Sequence, residues 1–165
     1  MIQIYTGEGK GKTTASVGLA VRASKHCKVL FVQFIKKGNS SEMSVFQSTP
    51  NIGCRAFGSG EWVLKDTDID KEAKNCQKAL DYVRSNLKNH DVIIMDEVIT
   101  AVDLGVVDEG EILKLLNKIP DNKEVILTGR GATEKLIEMA DLVTEMKKIK
   151  HYYDKGIKAR KGIEL

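Results

Sequence analysis

Residues 6–14 read Thr6-Gly7-Glu8-Gly9-Lys10-Gly11-Lys12-Thr13-Thr14, three spaced glycines running into Lys-Thr-Thr. That spacing suits phosphate. Small residues let backbone N–H groups converge on anionic oxygens, and a helix beginning there adds partial positive charge. Against the usual G-x-x-x-x-G-K-[ST] phosphate loop, Gly11, Lys12 and Thr13 match, whereas Thr6 stands where the first glycine belongs. Lys12 is expected to reach a terminal phosphate, and the Thr13 hydroxyl to bind Mg²⁺ or Mn²⁺. The alternative is a glycine-rich turn with a chance Lys-Thr. The apolar run before it and the helical run after it favour phosphate. Because a loop lies at the surface, Lys12→Ala is expected to leave fold stability nearly unchanged.

Two further groups fit the same chemistry. Val92-Ile-Ile-Met95 ends in Asp96-Glu97, the Walker B form in which a strand-end acid holds a metal or its waters. Either acid could be the ligand, and an acidic helix cap is the bland alternative. Thr128-Gly129-Arg130-Gly131 follows another apolar run, where Arg130 could clamp phosphates and stabilise a leaving group; a solvated Gly-Arg-Gly turn is its alternative.

Strands are expected at Ile2–Tyr5, Lys28–Ile35, Gly53–Phe57, Val92–Met95, Val125–Thr128 and Leu142–Glu145. Helices are expected from Lys12 to Ser24, near Ser41–Ser48, from Ile69 to Asn89, over Glu109–Ile119 before Pro120, and after a Thr133 cap. The longest carries Ile69, Ala73, Cys76, Leu80, Val83 and Leu87 in steps of four and three, one face of a helix. Alternating strands and helices predict an α/β fold: a three-layer, P-loop NTPase-like (RecA-like), mostly parallel sheet flanked by helices. Ligands of such sheets sit at the carboxyl ends of the strands, where all three motifs fall.

Composition narrows the classes. With 165 residues, 42% apolar, the chain suits one nucleotide-binding domain over 1–165. It has no long apolar span and no secretory pattern, so a cytoplasmic protein without a membrane partner is expected. Cys27, Cys54 and Cys76 are odd in number and widely spaced, which argues against disulfides and a CxxC metal site. Residues 147–161 carry +6 while the whole chain carries +3, so the rest carries −3. The basic tail, about 147–165, includes His151, Tyr152 and Tyr153. It suits a lid over a polyanion, stacking on nucleic acid, or a disordered terminus.

These blocks together resemble the P-loop ATP:corrinoid adenosyltransferases (cob(I)yrinic acid a,c-diamide adenosyltransferases). TGEGKGKTTA, VQFIKKG, MDEVITAVDLGVV, LTGRGA and HYYDKGIKARKGIE stand in that family's order over residues 5–164. The resemblance implies transfer of the 5′-deoxyadenosyl group from ATP, with its Mg²⁺ or Mn²⁺, to a Co(I) corrinoid, releasing triphosphate. Lys12, Thr13 and Arg130 would steady the triphosphate, residues Thr6 to Thr14 would wrap it, and Thr13, Asp96 and Glu97 would hold the metal. Phe57, Trp62, Tyr153 and Lys158 would face the corrinoid. A flavoprotein reductant and a homodimer are implied by analogy, and a nucleic-acid partner is not. Two departures stand out. The N-terminal segment with which many relatives cover the site has no counterpart before the first strand. Gly58-Ser-Gly60 is followed by Glu61-Trp62, one aromatic rather than an aromatic-x-Trp pair. An open site of this kind is expected to prefer an incomplete corrinoid precursor. On physics alone, a phosphotransferase or ATPase, or a non-catalytic ATP-sensing module, fits the same motifs.

Overall fold

The computed structural model of the chain describes residues 1–59 and 69–164. Its centre is a six-stranded sheet in the order β3-β2-β4-β5-β1-β6. The strands are β1 (Ile2–Thr6), β2 (Val29–Gln33), β3 (Ile52–Ala56), β4 (Val92–Asp96), β5 (Glu124–Thr128) and β6 (Leu142–Glu145). Every pairing is parallel. The expected α/β architecture is present, and the sheet is parallel throughout rather than mostly so.

Two apolar layers explain why β2, β4 and β5 read as apolar runs, since these strands are buried on both faces. Leu30, Val32, Ile93, Met95, Val125 and Leu127 pack on one face beneath α3 (Ile69–Asn86) and α5 (Glu109–Leu116). Val29, Phe31, Val92, Ile94 and Ile126 pack on the other beneath α1 (Lys12–Ala23) and α2 (Ser41–Gln47). Of the α3 stripe, Cys76, Leu80 and Val83 enter the core, joined by Ala79 from outside the stripe, whereas Ile69 at its start is exposed. A 3-10 turn, Leu87–Asn89, completes that helix.

Differences from expectation are local. Helix α5 stops at Leu116, because Lys118 and Ile119 donate to carbonyls three residues back and tighten the chain before Pro120. Helix α4 (Val98–Asp103) was not foreseen and follows the Walker B strand directly. Thr133 caps α6 (Glu134–Met139) as expected, accepting from the Leu136 N–H. All four residues of the edge strand β6 are exposed. Among the described residues no helix is long and apolar enough to cross a membrane.

Parallel pairing brings the carboxyl ends of β1, β2, β4 and β5 to one edge. Gln33 stands opposite Asp96, and Tyr5 opposite Thr128. The buried polar side chains Lys12, Gln33, Asp96 and Thr128 gather there; among the described residues only Ser16 and Glu72 are buried polar groups besides them.

Candidate active site

The phosphate loop joins β1 to α1 and is fixed from outside by the chain leaving β6. Gly9 N–H donates to the Met146 carbonyl at 2.6 Å. A Cβ on Gly9 would lie 2.6 Å from that oxygen, so only glycine lets the loop approach the chain leaving β6 so closely. Gly11 sits at the N-cap of α1 with φ 129°, and no side chain caps the helix. The first-turn amides of α1 therefore face the site as donors for an anion. Thr6 ends β1; its hydroxyl accepts from the Ala132 N–H, and its carbonyl from the Met146 N–H.

Lys12 is 8% exposed. Its ammonium folds back to donate to the carbonyls of Gly7 at 2.6 Å and Gly9 at 2.8 Å. Burial pulls its pKa below the ordinary lysine value, and Glu97 partly opposes that. The expectation that this side chain lies at the surface is thus corrected: Lys12 is buried and bonded to its own loop.

Asp96 is fully buried, and four donors surround its carboxylate. Oδ1 accepts from the hydroxyls of Thr13 at 2.9 Å and Thr128 at 2.7 Å. Oδ2 accepts from Lys36 Nζ at 2.8 Å and Gln33 Nε2 at 3.3 Å. Lys36 also donates to Thr13 Oγ1 at 2.9 Å and lies 3.7 Å from Glu97 Oε1. Burial lowers the Lys36 pKa, but the carboxylates of Asp96 and Glu97 outweigh it, and the net shift is upward.

Glu97 adopts the left-handed region, φ 62°, which is uncommon for a residue with a side chain. Its N–H donates to Thr128 Oγ1 at 3.0 Å, and its Oε2 accepts from the Thr100 hydroxyl at 2.6 Å. Thr100 Oγ1 in turn accepts from the Arg130 N–H at 2.9 Å. The Walker acid and the arginine turn are thereby tied together through one threonine. The turn itself needs Gly129, whose φ is 147° and whose Cβ would stand 2.3 Å from Thr100 N. Arg130 is exposed, with Nε 3.6 Å from Glu8 Oε2.

A cavity of about 740 Å³ joins these groups, a size that suits a nucleotide with room for part of a second ligand. Loop residues Glu8 to Thr14, Lys36, Glu97, Thr100 and Arg130 line it, together with His151 and Gly162–Glu164 from the tail. The tail is folded by Glu164, which accepts from Arg160 and from the Tyr152 hydroxyl; these hold its carboxyl down to about 2, Arg160 foremost.

Of the residues expected to meet the corrinoid, Tyr153 is 67% exposed and Lys158 is exposed, and neither lines the cavity. Phe57 packs on Tyr82, ring centroids 5.5 Å apart, under the Arg55 guanidinium. Trp62 lies outside the described residues. Gln33, Lys36, Thr100 and Thr128 were given no individual role from sequence, and His151 was read only as part of the basic tail. Gln33 offered a signal, a buried amide ending an apolar strand opposite the Walker acid.

Comparison with known proteins bears directly on this site. A family profile described as ATP:corrinoid adenosyltransferase BtuR/CobO/CobP matches residues 1–165. The chain belongs to that family. It is an enzyme of the adenosyltransferase class, and the resemblance read from its motifs is borne out. A corrinoid adenosyltransferase of Sinorhizobium sp is 36% identical over 175 residues, covering 100% of this chain and 80% of that protein. The corrinoid adenosyltransferase of Escherichia coli K12 is 33% identical over 168 residues, covering 99% and 85%. Among solved structures, the flagellar accessory protein FlaH of Methanocaldococcus jannaschii shares the fold, with TM-score 0.57, 15% identity, and coverage of 87% of this chain and 69% of that one. ATP and a corrinoid are the substrates this family membership supplies to the adenosyltransferase site.

The donor set fits a hard divalent ion. Among the described residues no three His, Cys, Asp or Glu side chains form a metal cluster by themselves. Thr13, Asp96 and Glu97 instead surround a cation already, the Lys36 ammonium. Oxygen donors of this kind suit Mg²⁺ or Mn²⁺, which typically complete their shells with phosphate oxygens and water.

Proposed function

We propose that the enzyme binds ATP with its triphosphate in the loop and transfers the 5′-deoxyadenosyl group to the Co(I) centre of a reduced corrinoid. The substrate cobalt supplies the electron pair that forms the bond to the ribose 5′ carbon. The carbon–oxygen bond breaks, and its electrons leave with triphosphate. No protein base takes part. The observation supporting this reading is that positive groups, and among the described residues no activated nucleophile, converge on the cavity. Its one histidine among the described residues, His151, uses Nδ1 to accept the Tyr153 N–H.

Lys12 then exchanges loop carbonyls for phosphate oxygens, the α1 amides bind the same group, and Arg130 leaves Glu8 to close on it from the mouth. A divalent ion, when bound, neutralises triphosphate charge. Thr13 Oγ and Glu97 are the direct ligands in this proposal, while Asp96, whose Oδ1 accepts from Thr13 and Thr128, stands behind Thr13 and orients its hydroxyl. The corrinoid lies over the nucleotide towards the tail, where Tyr153 and Lys158 are exposed.

Incubating the protein anaerobically with Mg-ATP and a chemically reduced corrinoid tests the reaction. Adenosylcorrinoid with triphosphate supports it; ADP with an unchanged corrinoid refutes it. Family resemblance also motivates three accessory proposals. Turnover of cobinamide against cobalamin tests the precursor preference, and a clear preference for cobalamin sinks it. Light scattering tests the homodimer, a monomer being the adverse result. Supplying electrons from a reduced flavoprotein tests the reductant, and failure to form product from Co(II) corrinoid counts against it.

A further inference from the structure

The seat proposed for the divalent ion holds a cation of the chain's own. Lys36 Nζ is 2.8 Å from Asp96 Oδ2, 2.9 Å from Thr13 Oγ1 and 3.7 Å from Glu97 Oε1. An ammonium and a hard divalent ion seek the same surroundings, several oxygen acceptors with net negative charge. They cannot share them, because two cations within one such shell repel strongly in a buried site. The inference rests on the ligand set proposed above.

Lys36 is what makes the seat tenable without a metal. Asp96 is fully buried, and a buried carboxylate lacking a counter-charge is costly. Without Lys36, Asp96 Oδ2 would keep a single long bond, from Gln33 Nε2 at 3.3 Å. Gln33 shows the converse need. Its Nε2 faces the carboxylates of both Glu42 and Asp96, which fixes the amide orientation. Its Oε1 is left buried with no partner. That unused acceptor, on a side chain whose amide nitrogen already reaches Asp96, has capacity for a water. Lys36 also has a way out. It stands three residues past the end of β2, its side chain is 32% exposed, and it lines the cavity.

We propose that Lys36 is a resident cation of the metal seat, a positioning residue that keeps free divalent ion out of the empty enzyme. It yields when the ion arrives with triphosphate, whose oxygens complete the ion's shell. Metal and ATP therefore enter together.

Binding of Mn²⁺ alone, followed by electron paramagnetic resonance on the nucleotide-free protein, tests this in wild type, Lys36→Met and Lys36→Gln. Removing the competing charge should tighten bare Mn²⁺ by at least about ten-fold in whichever variant retains a cooperative melt. The strengthening of Mn²⁺ binding by ATP should shrink by the same factor, since Lys36 has left the seat in the ternary complex and its removal changes only binding of the bare ion. Unchanged Mn²⁺ affinity in the variants overturns the proposal while leaving the metal ligands standing. Absence of Mn²⁺ binding even with ATP removes the ligand set and the proposal together. Wild-type protein alone is also decisive: micromolar binding of bare Mn²⁺ contradicts a resident ammonium.

Discussion

Lys12→Ala separates the two duties the structure gives this side chain. In the free protein its ammonium donates to Gly7 O at 2.6 Å and Gly9 O at 2.8 Å, and it is 8% exposed. Truncation strands two loop carbonyls, one of them on buried Gly9, and water can reach only part of the gap. A loss of roughly 1–2 kcal/mol in stability follows. For a chain of this length that lowers Tm by roughly 2–4 °C per kcal/mol. In the bound state the loss is a charged donor to triphosphate, roughly 1.5–3 kcal/mol. At about 1.4 kcal/mol per decade, activity should fall roughly ten- to hundred-fold. Because negative charge on the triphosphate grows as the carbon–oxygen bond breaks, the loss should appear in kcat as well as in KM. Anaerobic spectrophotometry of adenosylcorrinoid formation, with a parallel thermal melt, reads both effects. Full activity in Lys12→Ala would refute the phosphate-loop assignment; an unchanged melt would refute the loop-bracing role.

Other perturbations probe different parts. Arg130→Ala removes an exposed guanidinium, so kcat should drop about ten-fold or more with stability changed by less than about 0.5 kcal/mol; a melt that moves with activity would contradict this. Gly129→Ala forces a Cβ to within 2.3 Å of Thr100 N at φ 147°, and should destabilise by about 2 kcal/mol or more in chemical denaturation while displacing Arg130. Burial foremost, then Glu72, pushes the Cys76 thiol from 9.0 up to about 12. The unfolded thiol ionises first, so this group takes stability away as pH rises from about 9 towards 12. Cys76→Ala should flatten that part of the stability profile, and an unaltered slope would show the thiol is not its source.

What could be read from the sequence was whatever is local. The loop, the Walker B strand and the Thr128–Gly131 turn each announce themselves within a few residues, and the α3 stripe and Thr133 cap follow from spacing alone. Lys36 does not. Its neighbours Lys37 and Gly38 make it look like a solvated turn, and its partner Asp96 is brought near only by the pairing of β2 with β4. The left-handed Glu97 is invisible for a different reason: nothing about glutamate signals positive φ, and the conformation comes from the Thr128 hydroxyl and the start of α4. Helix α4, six residues long, is too short to show a period. The tail reads as basic and aromatic, yet the residues that reach the cavity are His151 and Gly162–Glu164 rather than Tyr153 or Lys158.

The central claim is that carbon–oxygen cleavage at the ribose, and not phosphoryl transfer, takes place over this loop. ATP carrying heavy oxygen at the bridging 5′ position, turned over anaerobically with reduced corrinoid and analysed by phosphorus NMR and mass spectrometry, tests it most directly. The label is predicted to leave in triphosphate, with unlabelled adenosylcorrinoid as the other product. Label retained in ADP, with the corrinoid unchanged, would contradict the account.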